Sequence, residues 1–155
     1  MVALCPLGTA GLFGPVSKEA LLFFPRTYLI MREEAKAWLE QAEADFESAK
    51  GLLGIKRYYL VALLCQQAVE KGFKAIIIEK KKEQAFSHSL PFLGKEAGVP
   101  ESKMSFLRRL SPYYIISRYP DSTGAKPFEL VDREIAESIL KGAEEVMQWI
   151  RIQLK

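Results

Sequence analysis

The chain contains a single histidine, His88, and that limits its chemistry at once. Any site needing two imidazoles is excluded, the H-E-x-x-H zinc helix among them. His88 lies between Ser87 and Ser89, just ahead of Leu90-Pro91, where a serine can cap a helix start and a proline is tolerated in the first turn. A Ser-His-Asp arrangement is the catalytic alternative, and a capping or polar-contact role is the commoner one. No phosphate-cradling G-x-x-x-x-G-K loop and no G-x-S-x-G elbow occurs. A second grouping is Tyr113-Tyr114-Ile115-Ile116-Ser117-Arg118-Tyr119-Pro120-Asp121. There the Arg118 guanidinium can grip a carboxylate or a phosphate through two parallel hydrogen bonds. Tyr114 and Tyr119 are placed to stack on it or on a base. Asp45 is a candidate buried partner for Arg118, so a structural ion pair competes with a ligand site. The third grouping holds Gln66, Gln67, Glu70, Lys71 and Lys74. Glu70 and Lys74 are an i, i+4 pair of the kind worth about 0.2 to 0.5 kcal/mol on a helix surface. The cluster reads as a solvated face, or as a surface meeting the phosphate of a nucleotide or nucleic acid. Lys80, Lys81 and Lys82 could add to that attraction, although a lysine run at a helix end also complements the helix dipole.

The elements that must carry these residues are helical. Ala35, Trp38, Leu39, Ala42, Phe46 and Ala49 recur at intervals of three and four, which predicts a helix running to about Lys50. Gly51 and Gly54 then punctuate the chain. Tyr58, Val61, Ala62, Cys65, Ala68, Val69, Gly72 and Ile76 predict a second helix from about Arg57 to Lys80, joined to the first as an antiparallel hairpin by a short link. Gly72 falls on its inward stripe, where another backbone can approach closely. Leu60, Leu63 and Leu64 make the first half of this helix apolar on its other side too, and a helix apolar all round is usually buried all round. The expected cover is a second copy of the chain, or else the apolar segment at residues 1–30.

Farther on, Ser87 or Ser89 caps a short helix through Leu93 that Gly98 stops. Pro100 opens a helix carrying Met104, Leu107 and Leu110, and Ser111-Pro112 starts a continuing or kinked piece to Ser117. A loop with Pro120, Gly124 and Pro127 follows. The last helix, from about Asp132 to Leu154, places Ile135, Ile139, Ala143, Val146, Met147, Ile150 and Leu154 on one face. No sustained two-residue alternation marks a strand. The expected fold is all-α, an antiparallel four- to five-helix up-and-down bundle.

The 155 residues suit one domain, with charge spread unevenly. Residues 1–30 hold three charged residues, Lys18, Glu19 and Arg26, and the rest of the chain holds 38. The first segment is apolar but broken by Pro6, Pro15 and Pro25 and by three glycines, so it has no run near the ~20 residues a membrane span needs. Its first basic residue is Lys18, which argues against a secretory signal. It reads as a leader outside the domain, with Met31 as the expected natural start and 31–155 as the bundle. The net charge of +3 permits a nucleic-acid partner without requiring one. Cys5 and Cys65 have no metal-ligand spacing, so neither a disulfide scaffold nor a metal site is expected. A reducing cytoplasm is the default.

Four blocks then stand in order: Ala37-Trp38-Leu39-Glu40-Gln41-Ala42-Glu43-Ala44-Asp45; Cys65-Gln66-Gln67-Ala68-Val69-Glu70-Lys71-Gly72-Phe73-Lys74-Ala75; Ser87-His88-Ser89-Leu90; and Arg118-Tyr119-Pro120-Asp121. With these, the chain from about Glu33 onward resembles the HEPN family, the higher-eukaryote and prokaryote nucleotide-binding domain. The resemblance implies a helical bundle that dimerises through its central helices. It also implies, for a small prokaryotic member, pairing with a minimal nucleotidyltransferase as toxin and antitoxin, without a cofactor. Many members are metal-independent ribonucleases whose motif is R-x(4-6)-H at the dimer cleft. Counted from Arg118, that His would stand at a position held by Thr123, Gly124 or Ala125. A His is the natural proton carrier near neutral pH, and none of these three replaces it. The expectation is therefore a nucleotide- or RNA-binding, non-catalytic subunit, with Arg118, Tyr119, Asp121, Glu70, Lys71, Lys74 and Asp45 as candidate ligand-binding residues. A ribonuclease with an atypical site, drawing on Arg118 and His88, is the second reading. An interaction module in which Arg118 and Asp121 only stabilise the fold is the third.

Overall fold

The computed structural model describes residues 31–155, so the leader reading lies outside the described residues. All regular structure there is helical: α1 (Glu33–Gly54), α2 (Tyr58–Lys81), α3 (Leu90–Ala97), α4 (Glu101–Leu110), α5 (Tyr113–Ile116), α6 (Pro127–Leu130) and α7 (Arg133–Gln153). Five of these are eight residues or longer, as the hydrophobic periods predict.

α1 buries Ala35, Leu39, Ala42, Phe46 and Ala49 against α2. It runs to Gly54, past the expected end near Lys50, so Gly51 does not break it; Lys56, in the left-handed region at φ 59°, turns the chain instead. α2 is the centre of the bundle, contacting every other helix. That explains its composition, because fourteen of its residues are buried. Leu60, Leu63 and Leu64 on the same helix are half-buried, and Leu64 packs on the core.

α7 closes the core with Ala136, Ile139, Ala143, Val146, Met147 and Ile150. Its start is capped by Asp132, whose side chain accepts a 2.8 Å hydrogen bond from the Ile135 amide. The stripe is offset from the expected one: Ile135 stands at the surface and Ala136 takes the inward position. Gly72 packs against α7, and a Cβ there would lie 2.6 Å from Ile150 Cδ1. The close approach is thus made by a side chain rather than by backbone.

Three local features bring the polar residues together. α2 ends at Lys82, also left-handed at φ 59°, which turns the chain back across the helix. α3 starts at Ser89, whose hydroxyl accepts from the Phe92 amide, and stops at Gly98, left-handed at φ 82°. The Leu90 amide donates to Ser111 Oγ at 3.1 Å, fixing the entry of α3 beside the entry of α5. The predicted loop after Tyr119 contains α6, a single turn opened by Pro127 that sequence periodicity could not register.

No helix of the described residues is long and apolar enough to cross a membrane.

Candidate functional site

Gln66, Glu70 and Lys74 follow one another at i, i+4 along α2, and all three are buried. The solvated-face reading of this cluster is therefore corrected: neighbouring elements cover it. Glu70 is its hub. Its Oε2 accepts from Gln66 Nε2 at 2.9 Å, and its Oε1 faces both Lys74 Nζ and His88 Nδ1, each at 2.9 Å. Burial alone would push the Glu70 carboxyl up, but the hydrogen bonds from Lys74 and Gln66 outweigh it and hold the group below its ordinary value. Glu70 is an anion near neutral pH.

The ionised carboxylate has no proton to give, so His88 Nδ1 must be the donor. A neutral His88 then carries its proton on Nδ1 and leaves Nε2 free. The imidazole side chain is half exposed, which gives that nitrogen access to a ligand.

Tyr114 lies in α5, and Arg118 follows two residues after its last residue, Ile116. The Arg118 guanidinium carbon lies 4.3 Å from the centroid of the Tyr114 ring. The His88 ring stacks on the same tyrosine, with centroids 4.1 Å apart and planes 13° apart. One aromatic ring thus gathers the sole histidine and the candidate anion-binding arginine, which are 30 positions apart in the sequence. Arg118 is exposed and forms no ion pair among the described residues, leaving its guanidinium open to a phosphate or carboxylate.

The remaining expected residues divide. Asp45 does not reach Arg118. It pairs with Lys71 and accepts a 2.8 Å hydrogen bond from Gln41, because its place on α1 faces α2 and not the loop. Lys71 also donates to Gln67 Oε1 at 3.3 Å, and Gln67 Nε2 donates to Gln66 Oε1 at 2.6 Å. Asp45 and Lys71 therefore lie at one end of a hydrogen-bonded run that leads to Glu70. Tyr119 and Asp121 are exposed; Arg118 stacks on Tyr114 rather than on Tyr119, and Asp121 pairs with no cation among the described residues.

Sequence reasoning misses Trp38, whose ring lies 5.3 Å from the Lys74 ammonium. Its spacing assigns it to the apolar stripe of α1, yet the residue is only half-buried. Gln66 belongs to the expected polar grouping, and the structure places it four residues before Glu70 as a buried donor to its carboxylate. Two larger depressions, of about 290 and 480 Å³, lie between α4 and α7 around Phe106 and Arg109 and share no residue with this cluster. Cys65 is buried, and burial pushes its thiol up to about 12, so it is chemically quiet. No group of three or more His, Cys, Asp or Glu able to hold a metal ion occurs among the described residues.

Comparison with known proteins identifies the family of the bundle. The HEPN domain family matches residues 35–153. A Methanocaldococcus jannaschii protein named "Putative toxin MJ1304" is 31% identical over 134 residues, covering 78% of this chain and 88% of the relative. The crystal structure of TT1696 from Thermus thermophilus superposes with a TM-score of 0.73 at 29% identity, covering 79% of this chain and 99% of its own. That of ST0689, described as an archaeal HEPN homologue, gives 0.68 at 27%, covering 80% and 100%. The family match spans residues 35–153, nearly all of the bundle, and the resembling blocks lie within it, so the chain belongs to the HEPN family.

Proposed function

We propose that this protein is a toxin-like HEPN subunit that binds RNA or a nucleotide through Arg118, Tyr114 and His88. In this reading it works as a homodimer in the company of a minimal nucleotidyltransferase. The observation that carries it is the shared tyrosine. Tyr114 holds an unpaired guanidinium and a half-exposed imidazole on one ring, which are the groups that grip a phosphodiester and hydrogen-bond around it. Similarity to a protein named as a toxin candidate supports the toxin-like role. The half-buried leucines Leu60, Leu63 and Leu64 on α2 are the surface a second copy would cover.

A second reading, metal-independent RNA cleavage, is favoured by one specific observation. Glu70 holds His88 by Nδ1, leaving Nε2 free to take the proton of a ribose 2′-hydroxyl as its oxygen bonds to phosphorus, while Arg118 would stabilise the negative charge that builds on the phosphoryl oxygens as the bond to the departing 5′-oxygen breaks. Binding without cleavage remains the first reading, since Thr123, Gly124 and Ala125 stand where the family motif has its His. The purely structural reading is the weakest, because neither Arg118 nor Asp121 forms an ion pair that ties down the fold among the described residues.

The test is incubation of labelled RNA with the protein in the presence of a chelator, alongside Arg118→Ala and His88→Ala proteins. Retention of intact RNA, weakened by Arg118→Ala, is the expected result. Cleavage lost in both variants would move the protein to the second reading, and no RNA retention at all would sink both. Purification from the native host, with identification of what co-purifies, tests the nucleotidyltransferase partner.

A further inference from the structure

His88 also lines a cleft of about 240 Å³, with Trp38 and Phe86 among its walls and Lys74, Gln84 and His88 supplying its polar groups. Phe86 is the odd residue. It is 92% exposed, the most exposed of the large hydrophobic residues described, although a phenylalanine ordinarily turns inward. Nothing in the described bundle covers it. It lines a cleft whose other aromatic residue, Trp38, is half-buried. The polar groups there are not fully occupied. Lys74 gives one N–H to Glu70 and has three to give. Gln84 donates its amide N–H to Glu34, leaving its carbonyl oxygen available.

We propose that this cleft receives an unstacked nucleobase, with Trp38 and Phe86 as its stacking walls, so that the site selects single-stranded RNA over duplex. The inference rests on the RNA reading above and adds a base subsite to its phosphate contact. Aromatic side chains are the usual stacking platform for a base, tolerant of any base because every base offers a π face, and the Lys74 ammonium, 5.3 Å from the centroid of the Trp38 ring, adds a cation beside one of them. Lys74 and Gln84 provide a donor and an acceptor for the base edge. His88 belongs to both regions: it lines the cleft and stacks on the tyrosine that carries Arg118. A strand with its base in the cleft and its phosphate at Arg118 therefore passes across the imidazole. A duplex keeps its bases stacked inside and cannot fill the cleft.

The test compares a labelled single-stranded oligoribonucleotide with an abasic ribose-phosphate oligomer of equal length. Both are titrated into the full chain and into Phe86→Ala and Arg118→Ala proteins. Phe86 is so exposed that its loss leaves the fold intact. The expected result is that Phe86→Ala weakens the base-bearing strand about tenfold and leaves the abasic one unchanged, while Arg118→Ala weakens both. Equal affinity of wild-type and Phe86→Ala proteins for the base-bearing strand would overturn the base subsite and leave the RNA reading standing. Failure of the wild-type protein to bind either oligomer would overturn the RNA reading itself. A change of oligomeric state in Phe86→Ala with unchanged RNA affinity would assign the side chain to contact with a second copy and overturn the proposal.

A second readout does not depend on the oligomers. The chain has two tryptophans, Trp38 and Trp149. In a Trp149→Phe protein, a nucleoside monophosphate should quench the emission of Trp38 while ribose 5-phosphate does not. In a Trp38→Phe protein, Trp149 should not respond. Equal quenching by the two compounds would overturn the proposal.

Discussion

His88 Nδ1 lies 2.9 Å from Glu70 Oε1. Through that contact a loop histidine is oriented by a buried carboxylate on the central helix, and its second nitrogen has no hydrogen-bond partner among the described residues. This arrangement holds the ring in one tautomer and one pose before any ligand arrives, as a preorganised site requires.

Glu70 should matter to stability as well as to His88. Glu70→Leu leaves the Lys74 ammonium, 9% exposed, without its anion, and an unpaired buried charge costs about 3 to 5 kcal/mol. The double replacement Glu70→Leu with Lys74→Met should recover most of that loss. Urea unfolding of the four proteins in the cycle measures it, and additive losses would show that the pair is not coupled.

Acid should weaken the fold through the same residue. The folded Glu70 carboxyl lies below its ordinary value, because contacts from Lys74 and Gln66 overcome the opposing effect of burial. The unfolded chain therefore binds the extra proton first. The contribution is fully present above the ordinary glutamate value of about 4.3 and is lost as pH falls through the lower folded value. Unfolding midpoints measured from neutral pH downward should decline below about pH 4.3, and Glu70→Gln should make that decline shallower.

Arg118→Ala should separate binding from folding. The side chain is exposed and forms no ion pair among the described residues, so stability should change by no more than about 0.5 kcal/mol. RNA affinity should fall about tenfold or more, and the slope of log affinity against log salt should lessen by about one. A large drop in melting temperature would instead mark Arg118 as a fold-stabilising residue.

Gly72→Ala tests the packing of α2 on α7. The added methyl would meet Ile150 Cδ1 at 2.6 Å and Cγ2 at 3.2 Å, and Ile150 is fully buried with little room to move. A loss of about 1 to 3 kcal/mol is expected. Adding Ile150→Val removes the nearer clash and should restore part of it, which calorimetry of the double variant would detect.

Most of the helices are legible in the sequence because apolar residues at intervals of three and four are a local signal, as are Ser89, Gly98 and Asp132 at helix ends. The fate of the polar cluster is not. Glu70 and Lys74 at i, i+4 look the same on a solvated face as under a cover, and the residues that meet them come from elsewhere in the chain: His88, eighteen residues from Glu70, and Trp38 of α1 beside Lys74. Asp45 matches Arg118 in the sequence because both are short of a partner there; only the packing of α1 on α2 puts Lys71 nearer. Ile135 falls one position from its expected place because the ends of a stripe drift around a helix of 3.6 residues per turn. The link from His88 to Arg118 runs through Tyr114, and no spacing rule connects residues joined only by a third side chain.

The turns at Lys56 and Lys82 have one more consequence, which concerns heat. Each lysine is held at φ 59°, a conformation that costs a residue with a Cβ roughly 1 to 2 kcal/mol and glycine almost nothing. The central helix thus begins and ends on unrelieved backbone strain. A chain with glycine at both positions should melt several degrees higher while Glu70, His88, Tyr114 and Arg118 stay where they are.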